Sequence, residues 1–270
     1  YSPTMSTVMF MRTEKKPFND VRVRQALSLG LDQIAITRDY FEGNAFTLTW
    51  PCQPGNVECY TPLDSLPQAT RELFEYHPEK AKKLLAQAGY PKGFKAESAM
   101  HSHDRLRIEL CLITKEYWTT IGVDLNCKLY DPAIRAKMQR SRTYPSIAMS
   151  GWGNSSPSSV LAAAHGGIPG IIWNFSGVVD PTAEEVYTKW KQTLDLEEAS
   201  KMLKAEYLRE MPLVWEIPLP GATGFGFWGP WLKNFSGELS MGPTNEMGNS
   251  EKYRHVWVDQ ELKAKYAGQK

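Results

Sequence analysis

Strand-like and helix-like segments alternate between residues 94 and 152, and this alternation constrains the fold more than any other feature of the chain. The residue pattern predicts strands at Phe94–Met100, Val123–Leu129 and Ser146–Ser150. The helices between them begin after the capping residues Asp104 and Asp131, the second of which precedes a proline. Strand, helix, strand, helix, strand is typical of right-handed parallel crossover units, so the sequence predicts an α/β fold.

The first of these helices carries a continuous apolar stripe. Its apolar positions follow each other at intervals of three or four residues, at Leu106, Leu110, Ile113, Tyr117 and Ile121. Gly122 then ends the helix. We expect the helix from 104 to 121 to cover one face of the sheet through the first three of these side chains.

Further elements flank this region on both sides. Before it, the pattern predicts a buried strand over residues 6–13, a helix capped by Asn19 or Asp20, a short helix ended by Gly43, a long loop over 44–70, and a helix between His77 and Gly89. After it, the pattern predicts helices between Asp180 and Met211 and a strand at Leu213–Leu219.

Charge and composition exclude several classes of protein. The chain has 270 residues, with 31 basic and 30 acidic side chains and a formal net charge of +1. That balance gives no long-range field for binding a polyanion, so we expect no nucleic-acid partner. The chain contains no run of about 18 apolar residues, so the sequence predicts no membrane span. The first residues do not have the pattern of a signal peptide, and no motif indicates a cofactor.

The four cysteines divide into two kinds. Cys52 and Cys59 lie in a turn-rich loop where a short disulfide fits an oxidising compartment; two unpaired thiols are the alternative. Zinc fits this spacing less well, because no second pair follows at zinc-site spacing. Cys111 falls on a predicted helix and Cys127 on a predicted strand, which favours core positions over metal ligation.

Three segments resemble a known family. Pro17–Leu29, with the sequence PFNDVRVRQALSL, is similar to a segment of the family 5 extracellular solute-binding proteins, the peptide, dipeptide and nickel-binding class. Tyr76–Tyr90 continues the resemblance, as does Tyr117–Trp118 followed by Ile121–Val123. The three segments occur in the family's order, so the resemblance does not rest on one short motif.

The resemblance implies a fold and a role. The fold is a type II periplasmic-binding-protein-like α/β lobe, with a mixed sheet flanked by helices. Residues 1–235 are expected to form the C-terminal ligand-binding lobe, and residues 236–270 to return toward an N-terminal lobe that this chain lacks. The protein is expected to be extracytoplasmic, periplasmic or at the cell surface, and a lipid anchor on the full-length protein is left open. Its role would be to capture a peptide-like or other small solute between two lobes and deliver it to the permease subunits of an ABC importer.

The candidate ligand site follows the third predicted strand, where open α/β sheets bind ligands. Trp152 offers a stacking surface, with a core position as the alternative. Many members of the family carry an aspartate nearby that pairs with the ligand's amino group, but this chain has Asn154 and Ser155 there. That departure favours a neutral or differently anchored ligand over an ammonium. Trp173 and Asn174 supply a second aromatic ring and a second polar group.

Other motifs carry weaker functional interpretations. Gly224–Gly229 matches a dinucleotide-binding pattern by letter, but Pro230 follows it and no helix is predicted there. His101 and His103 suggest metal ligands, although a polar strand end beside a helix cap explains them better. Arg22 and Arg24 point to different helix faces, one toward a core carboxylate and the other toward solvent.

We therefore predict a binding protein without chemistry of its own. The alternatives are a neutral oligosaccharide-binding member of the same family and, from another class, a secreted glycoside hydrolase that uses two carboxylates.

Overall fold

The computed structural model describes residues 2–3, 6–54, 56, 58–152, 174–224, 228–235 and 255–267. Ser2–Thr223 forms one compact unit, and Gly224–Lys270 with Tyr1 forms another. The strands are β1 (Ser2–Pro3), β2 (Ser6–Met11), β3 (Ala45–Phe46), β4 (Phe94–His101), β5 (Val123–Tyr130), β6 (Ile147–Trp152), β7 (Glu216–Leu219), β8 (Gly221–Gly224), β9 (Leu232–Lys233) and β10 (Trp257–Val258). The helices are α1 (Val21–Leu29), α2 (Gln33–Ala35), α3 (Gln68–Arg71), α4 (Pro78–Gln87), α5 (Arg105–Thr119), α6 (Pro132–Arg140), α7 (Pro181–Trp190), α8 (Leu196–Glu210) and α9 (Gln260–Ala267).

Five strands of the larger unit form a mixed sheet in the order β5-β4-β6-β2-β7. β4 pairs in parallel with β5 on one side and with β6 on the other, as the alternation of strands and helices predicted. β2 is antiparallel to both β6 and β7, with Met9 opposite Met149 and Ile217. The predicted α/β class with a mixed sheet is therefore confirmed.

Helices and a long loop cover the two faces of this sheet. Alternate residues of β2 point to opposite faces, so Met9 and Met11 enter one core cluster while Val8 and Phe10 enter another. The first cluster contains buried residues of α1, α4 and α5. The second contains residues of α7 and α8 together with the segment from Trp50 to Cys59. The unit thus has three layers, with the sheet in the middle.

α1 begins where the sequence predicted, after Asp20, whose side chain accepts a hydrogen bond from the backbone N–H of Arg22 at 2.9 Å. The two arginines of α1 differ in surroundings. Arg22 is exposed and pairs with Asp20, whereas Arg24 is buried with 6% of its surface exposed. The guanidinium of Arg24 donates to the backbone carbonyls of Phe18, Leu213 and Val214 at 2.7–3.0 Å. The sequence analysis expected one of the two arginines to face a core carboxylate, but the hydrogen bonds of buried Arg24 go to backbone oxygens.

The hydrogen bonds of Arg24 also account for the start of β7, which begins later in the chain than the sequence predicted. The sequence predicted a strand from Leu213, but β7 begins only at Glu216. Val214 adopts a left-handed φ of +45°, which is costly for a β-branched residue. The hydrogen bonds from Arg24 to the carbonyls of Leu213 and Val214 hold the chain in this turn.

The buried face of α5 is rotated slightly from the predicted stripe. Leu110 is fully buried as predicted, and Leu106 and Ile113 pack partly buried against the same cluster. The other fully buried positions of the helix are Cys111, Thr114 and Trp118. Two bonds fix this orientation, because Cys111 is bonded to Cys127 of β5 and the Trp118 indole N–H donates to the Leu27 carbonyl at 2.9 Å.

Two glycines lie side by side where the parallel strands begin. Gly93 precedes β4 and Gly122 precedes β5, and both have a positive φ, of +73° and +83°. A Cβ atom on Gly93 would lie 1.8 Å from the carbonyl oxygen of Gly122. Only glycine permits this approach, and the approach sets the register in which Phe94 lies opposite Val123.

The loop between α2 and α3 is anchored by a disulfide. Cys52 and Cys59 are bonded to each other, and both are buried in the second core cluster beside Trp50. Cys111 and Cys127 are bonded as well, a pairing that the sequence analysis did not predict.

We expect Cys52 and Cys59 to resist alkylation in the unfolded, unreduced protein, because a bonded sulfur is not a nucleophile. The bond closes a short loop and should contribute about 2–3 kcal/mol to the free energy of unfolding, mainly by restricting the unfolded chain. Peptide mapping after alkylation in denaturant without reductant checks this. Labelled Cys52 and Cys59 in that experiment would contradict it, and labelling after reduction serves as the control.

The smaller unit contains a two-stranded antiparallel pairing and a helix. β9 pairs with β10, with Lys233 opposite Trp257. The Trp231 ring lies 5.7 Å from that of Tyr266 on α9. The predicted division of the chain at residue 235 stays a prediction, since 236–254 lie outside the described residues. No helix in the described part of the chain is long and apolar enough to cross a membrane.

Candidate functional site

The three parallel strands end at one edge of the sheet, which we call the carboxyl edge. β4 ends there at His101, β5 at Tyr130 and β6 at Trp152. Open α/β sheets bind their ligands outside this edge, because the connections that leave the strands there form a crevice. The candidate site is therefore built from the residues at these strand ends and from the helices that follow them.

The predicted ligand residues fall partly outside the described chain. Only the backbone of Trp152 is described, as the last residue of β6, and Asn154, Ser155 and Trp173 lie outside the described residues. Asn174 is described, and its amide closes a turn with Val178. The Asn174 Oδ1 accepts from the Val178 N–H at 2.9 Å, and its Nδ2 donates to the Val178 carbonyl. The roles of these five residues in ligand binding stay predictions.

A buried arginine lies behind the end of β6. Arg135, in the first turns of α6, has 7% of its surface exposed. Its Nη2 donates to the Met149 carbonyl and its Nη1 to the side-chain oxygen of Gln139. Burial, and after it the positive charge of Arg107, lower the pKa of Arg135 to about 10. The guanidinium therefore remains charged at neutral pH in a place where charge is costly.

Ser150 links this arginine to the carboxyl edge. The second Nη1 contact of Arg135 is to the Ser150 Oγ, at 3.4 Å. Ser150 lies on β6 two residues before Trp152 and is only half-buried. Its side chain is on the same face of the sheet as Ala148, which packs with Ala99 and Tyr144 beneath α6. The hydroxyl thus contacts a buried cation, and the residue that carries it is partly exposed.

Two of the acids near this edge have basic partners. Asp104 caps α5 by accepting from the Arg107 N–H, and its carboxylate also pairs with the Arg107 guanidinium. Glu97 accepts from the Tyr130 hydroxyl at 2.7 Å and lies 3.8 Å from the Lys128 Nζ. The negative charge of Asp104 acts to raise the pKa of Arg135, but within the described residues no carboxylate forms an ion pair with Arg135. Among the residues that the structure describes, the buried charge of Arg135 therefore has no direct counter-ion.

The two histidines at the end of β4 make local contacts. The His101 Nδ1 accepts from the backbone N–H of His103, and the two rings are 5.8 Å apart. In the described ranges, no group of three His, Cys, Asp or Glu side chains is arranged to bind a metal ion. Residues 225–227 of the glycine-rich segment lie outside the described part of the chain.

Comparison with known proteins gives this edge a context. A model of the family described as bacterial extracellular solute-binding proteins, family 5 Middle, matches residues 1–168. Heme-binding protein A of Haemophilus influenzae is 27% identical to the chain over 233 residues, which are 83% of this chain and 40% of that protein. Glutathione-binding protein GsiB of Shigella flexneri is 26% identical over 133 residues, which are 49% of this chain and 24% of that protein.

The fold comparison agrees with the sequence comparison. The structure of HbpA2 from Haemophilus parasuis matches with a TM-score of 0.70 and 26% identity, over 82% of this chain and 43% of that one. The chain thus spans less than half the length of these relatives. The type II periplasmic-binding-protein fold and the resemblance that the three sequence segments indicated are both confirmed. The chain belongs to the bacterial extracellular solute-binding proteins of family 5.

Proposed function

We propose that this chain is the ligand-binding lobe of a solute-binding protein that delivers a small solute to the permease subunits of an ABC importer. The observation that carries the proposal is the family match over residues 1–168, which contains the whole of the carboxyl edge. The mechanism is hinge closure: the solute binds at the carboxyl edge, and a second lobe closes over it. The second lobe lies outside this chain, which spans 40% of its relative from Haemophilus influenzae.

A peptide-like solute is the first choice of ligand. The relatives include a protein named for binding glutathione, which is a tripeptide, and one named for binding heme. A neutral oligosaccharide is the second choice, because the chain contains nine tryptophans and has Asn154 where the family resemblance leads us to expect an aspartate. We place the protein outside the cytoplasm, in the periplasm or at the cell surface, in keeping with the extracellular description of the family.

Native mass spectrometry of the full-length protein tests the proposal. A co-purified small molecule, or stabilisation by a panel of peptides, glutathione, heme and oligosaccharides, is the expected result. Hydrolysis of chromogenic glycosides would favour a glycoside hydrolase and contradict a purely binding role. Absence of any bound or stabilising solute in the full-length protein would count against solute capture.

We expect Trp152→Ala to weaken solute binding at least tenfold in the full-length protein, with little change in fold. An indole stacked on a ligand in a desolvated cleft is an anchor whose truncation costs about 2 kcal/mol or more. Asn154→Asp should shift preference toward solutes that carry an ammonium group, because it restores a carboxylate. Calorimetry measures both effects, with circular dichroism to check the fold. Unchanged affinity in both variants would place the site elsewhere.

A further inference from the structure

The outer edge of β5 offers a long row of backbone groups for pairing. β5 is the last strand in the order β5-β4-β6-β2-β7, and in the part of the chain that the structure describes no strand pairs with its other side. The strand has eight residues, Val123–Tyr130, which is longer than an average strand. An exposed strand edge presents N–H and C=O groups that can pair with another strand, and proteins usually protect such an edge with charged side chains.

The charged side chains of β5 have both signs and a symmetric spacing. Asp124, Asn126 and Lys128 lie on one face of the strand, because alternate residues share a face, and all three are exposed. When two copies of β5 run antiparallel with Asn126 opposite Asn126 of the second copy, Asp124 of each copy lies opposite Lys128 of the other. A shift of register by two residues separates these charges, and a parallel arrangement in register places like charges opposite each other, which is unfavourable.

The neighbouring strand extends the charge pattern. The Asp124 carboxylate lies 3.7 Å from the Lys95 Nζ, and the Lys128 Nζ lies 3.8 Å from the Glu97 carboxylate. The side chains of Asp124 and Lys128 nevertheless remain 61% and 51% exposed. An ammonium has three donors and a carboxylate accepts several hydrogen bonds, so each group can take a further partner across the edge. Basic and acidic side chains then alternate from β4 of one copy to β4 of the other.

The other face of β5 is apolar at the same edge. Leu129 is 49% exposed and lies on the face that carries Cys127. The bond between Cys127 and Cys111 places α5 over this face, and Leu112, the next residue of α5, is 50% exposed. In the antiparallel register, Leu129 lies opposite Val123 of the second copy. Pairing of the two strands therefore brings exposed apolar side chains together on one face and opposite charges together on the other.

The contacts of α5 show which of its flanks lies above the free edge. Glu109 accepts a hydrogen bond from Tyr40, and the Tyr117 ring contacts that of Tyr76. This flank of α5 therefore faces the segments between α2 and α4. Helical spacing places Leu112 away from that flank, on the side of β5 that has no neighbouring strand.

We propose that two copies of the protein associate through their β5 strands, paired antiparallel about Asn126, with Leu112 and Leu129 of each copy covered by the contact. The same surface serves both copies, as a two-fold axis requires. The charge complementarity of the strand with itself is the reason for assigning a second copy rather than another protein. The inference goes beyond the proposed function and does not depend on it.

Charge exchange across the edge tests the proposal. Sedimentation equilibrium of the full-length protein at a series of concentrations is expected to show a reversible dimer. Asp124→Lys and Lys128→Asp, each made singly, should weaken association by about tenfold or more, because like charges then face each other. The double variant exchanges the two signs and should regain most of the association. Glu197→Lys reverses an equally exposed acid on α8 and should have no effect.

The apolar half of the contact has its own matched pair of variants. Leu129→Ser should weaken association, since it removes apolar area that the dimer covers. Leu194→Ser removes a leucine that is 95% exposed between α7 and α8, and should leave association unchanged. Both leucines are exposed in the single chain, so circular dichroism should show the same fold in both variants.

Cross-linking tests the register. Directly opposite residues of antiparallel strands have Cα atoms about 4.5–5.5 Å apart, a separation that a disulfide can bridge. Asn126→Cys should therefore give a covalent dimer under mild oxidation. Asp124→Cys and Lys128→Cys should not cross-link alone, but a mixture of the two should, because each lies opposite the other. Peptide mapping verifies that Cys111 and Cys127 remain bonded to each other.

Each outcome supports or overturns the inference. A dimer that a single reversal weakens and the double variant restores supports it, as does a cross-link at Asn126. A wild type that stays monomeric at the highest soluble concentration overturns it, as does a dimer that no β5 variant affects. If the charge variants do not fold, the cross-link of Asn126→Cys decides alone. Solute binding is measured separately, so failure of this inference leaves the proposed function standing.

Discussion

Replacing Arg24 by methionine is expected to lower the free energy of unfolding by about 3–5 kcal/mol. The substitution leaves the carbonyls of Phe18, Leu213 and Val214 without their donor in a buried place, and each hydrogen bond to a charged group contributes about 1.5–3 kcal/mol. It also removes a buried positive charge that is attracted to the side chain of buried Glu216. Urea unfolding followed by circular dichroism measures the change.

Arg22 gives the matched control two residues earlier on the same helix. Its guanidinium is exposed and pairs with Asp20 at the surface. Arg22→Met should therefore change stability little, since exposed ion pairs contribute little. Equal losses in the two variants would show that the loss depends on helix α1 in general and not on the buried contacts of Arg24.

The second large effect is expected for Gly93→Ala, at about 3 kcal/mol or more. The new Cβ would lie 1.8 Å from the Gly122 carbonyl oxygen. The three nearest atoms all belong to the Gly122 backbone, so no side-chain rotation can relieve the clash. The positive φ of Gly93 adds strain for any L residue. Because the two glycines precede β4 and β5, relief of the clash requires the parallel strands to separate at their start.

Gly43→Ala separates the two causes. Gly43 has a similar φ of +75°, but nothing lies within 4 Å of the Cβ position. Its alanine variant therefore reports the backbone strain alone, of about 1–3 kcal/mol. Thermal unfolding of the two variants should show a clearly larger loss for Gly93→Ala. Equal losses would contradict a role for the close approach to Gly122.

The sequence predicted those parts of the fold that local chemistry determines. The capping acids Asp20, Asp104 and Asp131 each mark the helix start found in the structure. The parallel arrangement of β4, β5 and β6 followed from the helix that the sequence predicts between each strand and the next. The antiparallel position of β2 could not be predicted in the same way, because alternation along a strand shows which faces are buried and not which strands are neighbours.

The sequence predicts a candidate site after β6, which stays a prediction, and it gave no sign of the buried charge of Arg135 behind that strand end. The position after β6 follows from the general behaviour of open sheets. Arg135 gave no signal of its own, because a basic residue on a helix with polar neighbours is normally solvated. Its depth depends on how α6 packs over Ala148 and Tyr144, which is a tertiary property. The pairing of Cys111 with Cys127 was missed for the same reason, since a helix and a strand meet there.

The central place of β2 has a consequence for synthesis of the chain. β2 hydrogen-bonds to residues 147–152 on one side and 216–219 on the other, although it is near the start of the chain. At about 5–20 residues per second, a ribosome needs roughly 10–40 s to add the roughly 200 residues between β2 and β7. During that time a six-residue strand that is fully buried in the finished protein has one or both edges unpaired.

Sheets with such distant partners also fold slowly, because loop closure precedes the stabilising contacts. Early aggregation is therefore expected to begin at Ser6–Met11, before the carboxyl-terminal half of the chain can protect it.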